Sequence, residues 1–175
     1  MGRLSHIHKE HAAAPAVVKA KSADVAAIVE LNKQFHKPLR GFVWDTPGWI
    51  AGEIAEGNYY VIRDAQGVAA AMCLPVGRHD ADIHTMAVRA DLHGQGLGKV
   101  LVDHAIDLCR KAGVRELSVM SYCSYGVKGF YEGCGFNCSG TRGRGDSEYY
   151  CFSMDIDAPE AAAAPRGPER APSHG

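Results

Sequence analysis

The pattern of apolar positions in the first third of the chain predicts a strand followed by two helices. Residues 16–20 form a short apolar run that is typical of a strand. Ser22 is a predicted N-cap for a first helix, because apolar residues then recur at helical steps. They are Val25, Ile28, Leu31 and Phe35. Thr46-Pro47 predicts the start of a second helix, which ends at Gly57, since proline suits the first helical position.

The period then changes to that of strands. Residues 59–63 and 68–76 flank Asp64-Ala65-Gln66-Gly67, which indicates a hairpin, and a third strand is predicted from about 82 to 89. A helix that follows carries Leu97, Leu101, Ala105 and Leu108 on one face and ends at Gly113. A strand at 116–121, a helix ending near 133, and strands near 137–141 and 148–155 complete the pattern.

This order of elements predicts the fold class. The sequence β-α-α-β-β-β followed by α-β-α-β-β indicates an α/β protein with a mixed sheet and helices on both faces. We expect a single domain over residues 15–157, preceded by a flexible arm, 1–14. Residues 158–175 hold six Ala, four Pro and two Gly and no large apolar side chain, so we expect a disordered tail.

Composition narrows the class of function. The chain has 175 residues, is 46% hydrophobic and carries a net charge of −1, which argues against a general nucleic-acid binder. No apolar run is long enough to span a membrane. The six cysteines lack paired C-x-x-C spacing, so neither a structural zinc site nor a disulfide framework is expected. We therefore expect a cytoplasmic protein with free thiols and no bound metal.

A glycine-rich segment between the third predicted strand and the following helix indicates anion binding. The segment runs from His93 through Gly94, Gln95, Gly96, Leu97 and Gly98 to Lys99. Glycines allow a sharp turn and close approach of the backbone to a ligand. The helix behind the turn directs unpaired N–H groups and its positive dipole end at the same point, which suits phosphate oxygens.

A second motif about forty residues later, Gly129-Phe130-Tyr131-Glu132-Gly133-Cys134-Gly135-Phe136, makes this signal more specific. Together the two motifs resemble those of the GNAT superfamily of acetyl-CoA-dependent N-acetyltransferases. The family's phosphate loop reads Arg/Gln-x-x-Gly-x-Gly/Ala, and its later block ends in Tyr-Glu-x-x-Gly-Phe. The resemblance departs at His93, where Arg or Gln is usual, and at Ser124, where Asn is common. It implies a GNAT-like fold and acetyl-CoA as cosubstrate.

The resemblance also implies catalytic residues. Tyr131 aligns with the tyrosine whose hydroxyl lies beside the thioester sulfur, and it is the expected general acid. Asp82 and His84 share one face of a predicted strand and are the candidate bases, singly or through a water. Which of the two acts as the base stays open at this point.

The cofactor-binding residues follow from the same alignment. Residues of the glycine-rich segment, His93 to Lys99, are expected to hold the phosphates. Backbone groups of Met86, Ala87 and Val88 are expected to meet the pantetheine arm and the carbonyl oxygen. Ser124 is expected either to bond the cofactor or to cap the next helix.

The acceptor is the least determined part. The segment 35–45 carries Phe42 and Trp44 and covers the substrate in this family, while Arg142, Arg144 and Asp146 lie in a predicted loop. A small amine, a lysine or a peptide N-terminus all fit, and a homodimer stays open. The rivals are a non-catalytic CoA-binding sensor, cysteine chemistry at Cys123 or Cys134, and a dinucleotide-binding unit, whose glycine spacing differs.

Overall fold

The computed structural model describes residues 13–157 and contains eight strands and four α-helices in that range. In chain order they are β1 (Val17–Lys19), α1 (Val25–Lys33), α2 (Pro47–Ala55), β2 (Tyr59–Asp64), β3 (Gly67–Cys73), β4 (Asp80–Ile83), β5 (Thr85–Val88), α3 (Leu97–Ala112), β6 (Glu116–Tyr122), α4 (Lys128–Gly133), β7 (Asn137–Arg142) and β8 (Tyr149–Asp155). The predicted fold class and order of elements are confirmed.

The strands form two four-stranded sheets, with the orders β1-β2-β3-β5 and β4-β6-β8-β7. The first sheet is antiparallel throughout, whereas β4 runs parallel to β6 in the second. The prediction of one continuous strand over 82–89 is therefore wrong, because the chain changes from one sheet to the other at His84. Ile83 pairs with Val119 of β6, but Thr85 pairs with Cys73 of β3.

Two apolar cores lie on opposite faces of the first sheet. Successive side chains of a strand point to opposite faces, so Tyr60 and Ile62 of β2 join the core beneath α3, whereas Tyr59 and Val61 join the core beneath α1 and α2. The prediction of helices on both faces is confirmed. Each buried aliphatic side chain stabilises this arrangement by about 1.5–3 kcal/mol.

The helix ends agree with the sequence signals at two places and differ at one. Thr46 is the N-cap of α2 with Pro47 at its first position, and α3 ends at Gly113 in the left-handed conformation, φ 72°. The predicted N-cap role of Ser22 is wrong. Ser22 begins a short 3₁₀ turn, and the Asp24 carboxylate accepts the Lys21 backbone N–H at 2.7 Å while it pairs with Arg63.

The two sheets separate beyond His84, and this separation creates the opening in which the candidate site lies. Strand β4 pairs with β6 only as far as Ile83 and Val119, after which β5 follows β3 instead. Within residues 13–157, no strand pairs with the edge of β5 that faces away from β3. Backbone groups at that edge are left to bind something other than a neighbouring strand.

Some expectations concern parts of the chain that the structure does not describe. The arm predicted over 1–14 falls almost entirely, and the tail over 158–175 wholly, outside residues 13–157. Within that range, no helix has the length and apolar character needed to cross a membrane. The six cysteines are all free, and no cluster of three or more His, Cys, Asp or Glu side chains there is arranged to hold a metal ion.

Candidate active site

A cavity of about 920 Å³ occupies the gap between β5 and β6 and reaches both faces of the first sheet. On the α3 side it is lined by the loop half, which we define as Met86, Val88, Leu92 to Gly94, Gly96 to Lys99 and Tyr131. On the other side it is lined by the α1 half, defined as Asn32, Phe35, Phe42, Trp44 and Thr85. Asp82 and His84 also line the cavity, next to the point where the chain changes sheets.

The glycine-rich turn has the geometry that the sequence predicts. Gly94 and Gly96 adopt φ angles of 77° and 86°, which strain any side-chain-bearing residue, and Gly96 is the N-cap of α3. Gly98 is required for a different reason, because a Cβ there would lie 3.0 Å from Cζ of Phe130. The first-turn N–H groups of α3 thus adjoin the cavity, as an anion site requires. Gln95 is not among the lining residues.

Two polar side chains of this turn are already engaged by the protein. The His93 ring donates from Nε2 to the Val88 carbonyl at 2.8 Å, which ties the turn to β5. Lys99 is exposed and pairs with Asp103, one helical turn away, at 2.8 Å. The groups that the turn leaves for a ligand are therefore mainly backbone amides.

The open edge of β5 offers further backbone donors. Arg89 N–H donates to Ala69 O at 2.8 Å, and β3 and β5 are paired from Ala70–Val88 to Cys73–Thr85. Because N–H groups alternate between the two edges of a strand, those of Val88 and Met86 point away from β3. The side chains of Met86 and Val88 line the cavity, whereas Ala87 is buried in the core beneath α1. The N–H of Ala87 points toward β3, where Ala87 pairs with Ala71, so neither its side chain nor its N–H is directed at the open edge.

Tyr131 lies at the base of the loop half. Its ring is 6% exposed and packs against Phe130, Phe136 and Phe152. Burial raises the pKa of its hydroxyl well above the usual range, so the phenol keeps its proton at neutral pH. No group within residues 13–157 hydrogen-bonds to this hydroxyl, and the residue lines the cavity. A buried, protonated donor that faces a cavity can protonate a leaving group there.

Asp82 and His84 meet at the change of sheets. His84 Nε2 lies 3.5 Å from Asp82 Oδ2, and Ser118 donates to Asp82 Oδ1 at 3.0 Å. Burial raises the pKa of the Asp82 carboxyl, an effect that the Ser118 hydrogen bond partly offsets. The His84 ring stacks on Trp49 with centroids 6.4 Å apart. Because its pKa is raised, the ionised Asp82 carboxylate is a stronger base than an exposed carboxylate. The His84 imidazole lies beside this carboxylate.

Ser124 does not cap the helix that follows it. Helix α4 begins at Lys128 with Val127 as its N-cap, so the predicted capping role of Ser124 is wrong. Its hydroxyl accepts a hydrogen bond from Lys37 Nζ at 2.7 Å, and Ser124 is not among the residues that line the cavity. Lys37 is 8% exposed and lies over the Tyr122 ring, 4.8 Å from its centroid. This contact joins the segment 35–45 to the end of β6.

The α1 half contains residues that the sequence analysis missed. Asn32 is 5% exposed and donates to Trp44 O at 2.7 Å and to the Tyr59 hydroxyl at 3.0 Å. The Tyr59 hydroxyl lies 2.8 Å from Thr85 Oγ1. The signal that could have found this network is the periodicity of α1, since Asn32 shares the apolar face of Val25 and Ile28. Tyr59 and Thr85 carry no comparable signal.

The predicted covering segment does line the cavity. Phe35, Phe42 and Trp44 form its wall together with Tyr122 and Tyr125, and Tyr125 donates from its hydroxyl to Phe35 O at 2.5 Å. Arg142, Arg144 and Asp146 are not among the lining residues. The same holds for Cys123 and Cys134, the cysteines considered for covalent chemistry. The α1 half is therefore mainly aromatic, with few polar groups.

Comparison with known proteins gives a family match. The model of the acetyltransferase (GNAT) family matches residues 16–136. A candidate alanine N-acetyltransferase of ribosomal protein bS18 from Bacillus subtilis (strain 168) is 29% identical over 94 residues. That match covers 51% of this chain and 62% of the relative, so it spans less than two thirds of the relative's length.

Solved structures share the fold. The ribosomal-protein-S18-alanine N-acetyltransferase of Escherichia coli has a TM-score of 0.69 at 22% identity, covering 86% of this chain and 99% of that one. The yncA protein of Salmonella typhimurium, solved with its cofactor acetyl-CoA, has a TM-score of 0.68 at 15% identity, covering 87% and 99%. The family match over most of the described domain is the decisive finding, and the chain belongs to the GNAT family of acetyltransferases.

Proposed function

We propose that the protein transfers an acetyl group from acetyl-CoA directly to a primary amine. The observation that carries this proposal is that one cavity is lined by the glycine-rich turn, Tyr131 and the Asp82–His84 pair. These groups meet the three needs of the reaction, which are to bind the cosubstrate, to deprotonate the amine and to protonate the departing thiolate.

The cosubstrate is assigned to the loop half. Backbone N–H groups of Gly96 to Lys99 at the start of α3 would hold the diphosphate. The outward N–H groups of Met86 and Val88 would bond the pantetheine arm and the thioester oxygen, as a substrate strand bonds a sheet edge. The side chains of His93 and Lys99 act indirectly, since each is engaged within the protein.

The chemical step then follows from the side chains. The Asp82–His84 pair takes a proton from the bound ammonium, and the free amine attacks the thioester carbonyl carbon. A backbone N–H at the open edge of β5 stabilises the oxyanion. The carbon–sulfur bond breaks as the carbonyl reforms, and Tyr131 gives its proton to the sulfur. The nitrogen of the intermediate gives its second proton to the Tyr131 oxygen through solvent, and the Asp82–His84 pair releases to solvent the proton that it took from the ammonium. The products are the acetamide, the free CoA thiol and one proton.

The acceptor that we favour among primary amines is the α-amino group of a peptide. Two of the similar proteins are named as alanine N-acetyltransferases of ribosomal protein S18. A free α-amino group, with a pKa near 7.7–8.0, also needs less help from a base than a lysine with a pKa of about 10.4. The aromatic wall of the α1 half suits an apolar first side chain.

The proposal is tested by following thiol release from acetyl-CoA with three acceptor classes: an alanine-initiated peptide, an N-terminally blocked lysine peptide and small alkyl amines. We expect release above the rate without acceptor, and highest with the free α-amino group. Tight acetyl-CoA binding with no turnover on any class would instead support a non-catalytic CoA-binding sensor. Turnover only on the blocked lysine peptide would support an acetyltransferase whose acceptor is a lysine side chain and not an α-amino group.

A further inference from the structure

Asn32 has one side-chain atom that the protein leaves without a partner. Its amide nitrogen donates to Trp44 O at 2.7 Å and to the Tyr59 hydroxyl at 3.0 Å. The bond to Trp44 O requires a donor, because a carbonyl can only accept, and it fixes the orientation of the amide. The same NH₂ group then also donates to the Tyr59 oxygen. Oδ1 accepts no hydrogen bond from residues 13–157. It is not among the fully enclosed unpaired atoms there, the sole such atom being His104 Nε2.

The second bond of Asn32 sets the direction of a short chain of hydrogen bonds. Since the Tyr59 oxygen accepts from Asn32, its own proton is free to go to Thr85 Oγ1, 2.8 Å away. Burial raises the pKa of the Tyr59 hydroxyl far above neutrality, so that proton is retained. Thr85 Oγ1 is the one acceptor within reach of the Tyr59 proton among the described residues, so we assign the accepting role to Thr85. This assignment leaves the hydroxyl hydrogen of Thr85 without a partner there.

Two unused polar groups of opposite character consequently line the same cavity wall. Asn32 Oδ1 can accept one hydrogen bond and the Thr85 hydroxyl can donate one, and both residues line the cavity. The Tyr59 hydroxyl hydrogen-bonds to both residues and so lies between them. Thr85 directly follows His84 in the chain. The rest of the α1 half is aromatic, so these two groups supply polar recognition there.

We propose that Asn32 and Thr85 form the receptor for an acceptor that carries a carbonyl one carbon from its amine. The inference rests on the proposed function and narrows it to α-amino amides, the terminus of a peptide. Asn32 Oδ1 accepts from an N–H of the reacting amine, and the Thr85 hydroxyl donates to the neighbouring carbonyl. Tyr59 acts as a positioning residue, because it touches the acceptor only through Thr85.

The receptor and the candidate base share one cavity. Asp82 and His84, which lie 3.5 Å apart, line the same cavity as Asn32 and Thr85, and His84 directly precedes Thr85 in the chain. An amine without the carbonyl keeps the Asn32 contact and loses the Thr85 contact. Discrimination therefore depends on the carbonyl, since a buried donor left unpaired by the wrong ligand costs free energy.

The test measures binding rather than turnover. Protein saturated with CoA, which cannot acetylate, is titrated by NMR with alaninamide and with isopropylamine, two amines that differ in the carboxamide. We expect alaninamide to bind more tightly, by about 3–10-fold for one hydrogen bond. Thr85→Val should remove this preference and leave the isopropylamine Kd unchanged, while Thr85→Ser should retain it because the hydroxyl remains.

The outcomes separate the inference from the proposed function. Equal affinity for the two probes in the wild-type protein, or a preference that survives Thr85→Val, overturns the receptor. Preference intact in binding but no acetyl transfer with acetyl-CoA overturns the function and leaves the receptor standing. Asn32→Leu, which also frees Trp44 O, is a second variant and should weaken both probes; if it fails to fold, the Thr85 pair of variants decides alone.

Discussion

The two halves of the cavity are built in different ways. The loop half comes mainly from one continuous segment and presents backbone amides, as the left-handed glycines and the open edge of β5 show. The α1 half comes from α1, the following segment and the start of β5. Its polar groups are joined by hydrogen bonds between distant residues, because Asn32 and Tyr59 are 27 residues apart in the chain and Tyr59 and Thr85 are 26 apart. A backbone site tolerates side-chain changes that do not alter its shape, whereas a side-chain site depends on each residue that converges on it.

The most complete expected loss, that of the whole cosubstrate response, comes from a change in the loop half alone. Gly98→Val places side-chain carbons against Phe130, where even a Cβ would lie 3.0 Å from the ring. We expect the rise in melting temperature produced by acetyl-CoA, equivalent to about 2.7 kcal/mol at 100 times Kd in the wild type, to disappear.

The matched control for this change is Gly52→Ala in α2, where a Cβ has nothing within 4 Å. Its ligand response should equal that of the wild type, measured by differential scanning fluorimetry. A Gly98→Val protein that still responds to acetyl-CoA would show that the turn does not hold the cosubstrate.

The next effect separates binding from chemistry within the loop half. Tyr131→Phe keeps the ring contacts with Phe136 and Phe152 and removes only the hydroxyl. We expect kcat to fall on the order of 10²–10⁴ with the acetyl-CoA Kd unchanged, because the proton is needed only in the transition state. Steady-state kinetics and calorimetric titration measure the two quantities. An unchanged kcat would mean that solvent protonates the thiolate.

A smaller effect is expected where the two halves meet. Asp82→Asn should lower kcat/KM at pH 7 by on the order of 10². Because burial raises the Asp82 pKa, the wild type should lose activity as pH falls through that raised pKa, and the variant should lack this limb. Activity of the variant should recover at high pH as the amine deprotonates unaided.

The control for Asp82→Asn is a carboxyl outside the cavity. Glu116→Gln, an exposed carboxyl on β6 that does not line the cavity, should keep the wild-type pH profile. A raised carboxyl pKa means that the folded state disfavours the ionised form, so Asp82→Asn should not lower Tm at pH 7. If His84→Ala has the larger kinetic effect, the base is the imidazole.

The smallest expected effect tests whether Ser124 influences the acceptor or the cosubstrate. Its family position predicts contact with the cofactor, but its hydroxyl accepts from Lys37, which joins the segment 35–45 to the end of β6. We expect Ser124→Ala to raise the KM for the amine by about 3-fold, the value of one hydrogen bond, and to leave the acetyl-CoA Kd unchanged. A rise in the acetyl-CoA Kd with the amine KM constant would show that Ser124 contributes to cosubstrate binding instead.

Much of the loop half could be predicted from the sequence because its signals are local. The turn at Gly94 and Gly96 and the end of α3 at Gly113 each depend on the conformational freedom of glycine at one position. Thr46 and Pro47 likewise mark the start of α2 through local geometry. Ser22 does not cap α1, because the Asp24 carboxylate accepts the Lys21 backbone N–H at this end of the helix instead. Asp24 is held there by Arg63 of β2, a residue distant in the chain.

The sequence by itself determined the order of elements, the glycine-rich turn and the family, since these follow from periodicity and from residues close together in the chain. Only the tertiary structure decided that the strand predicted over 82–89 divides between two sheets at His84, which opens the cavity. It also brought Asn32, Tyr59 and Thr85 into one network. The physical reason is that sheet exchange and side-chain convergence depend on partners supplied by distant segments, and no local pattern encodes which partner arrives.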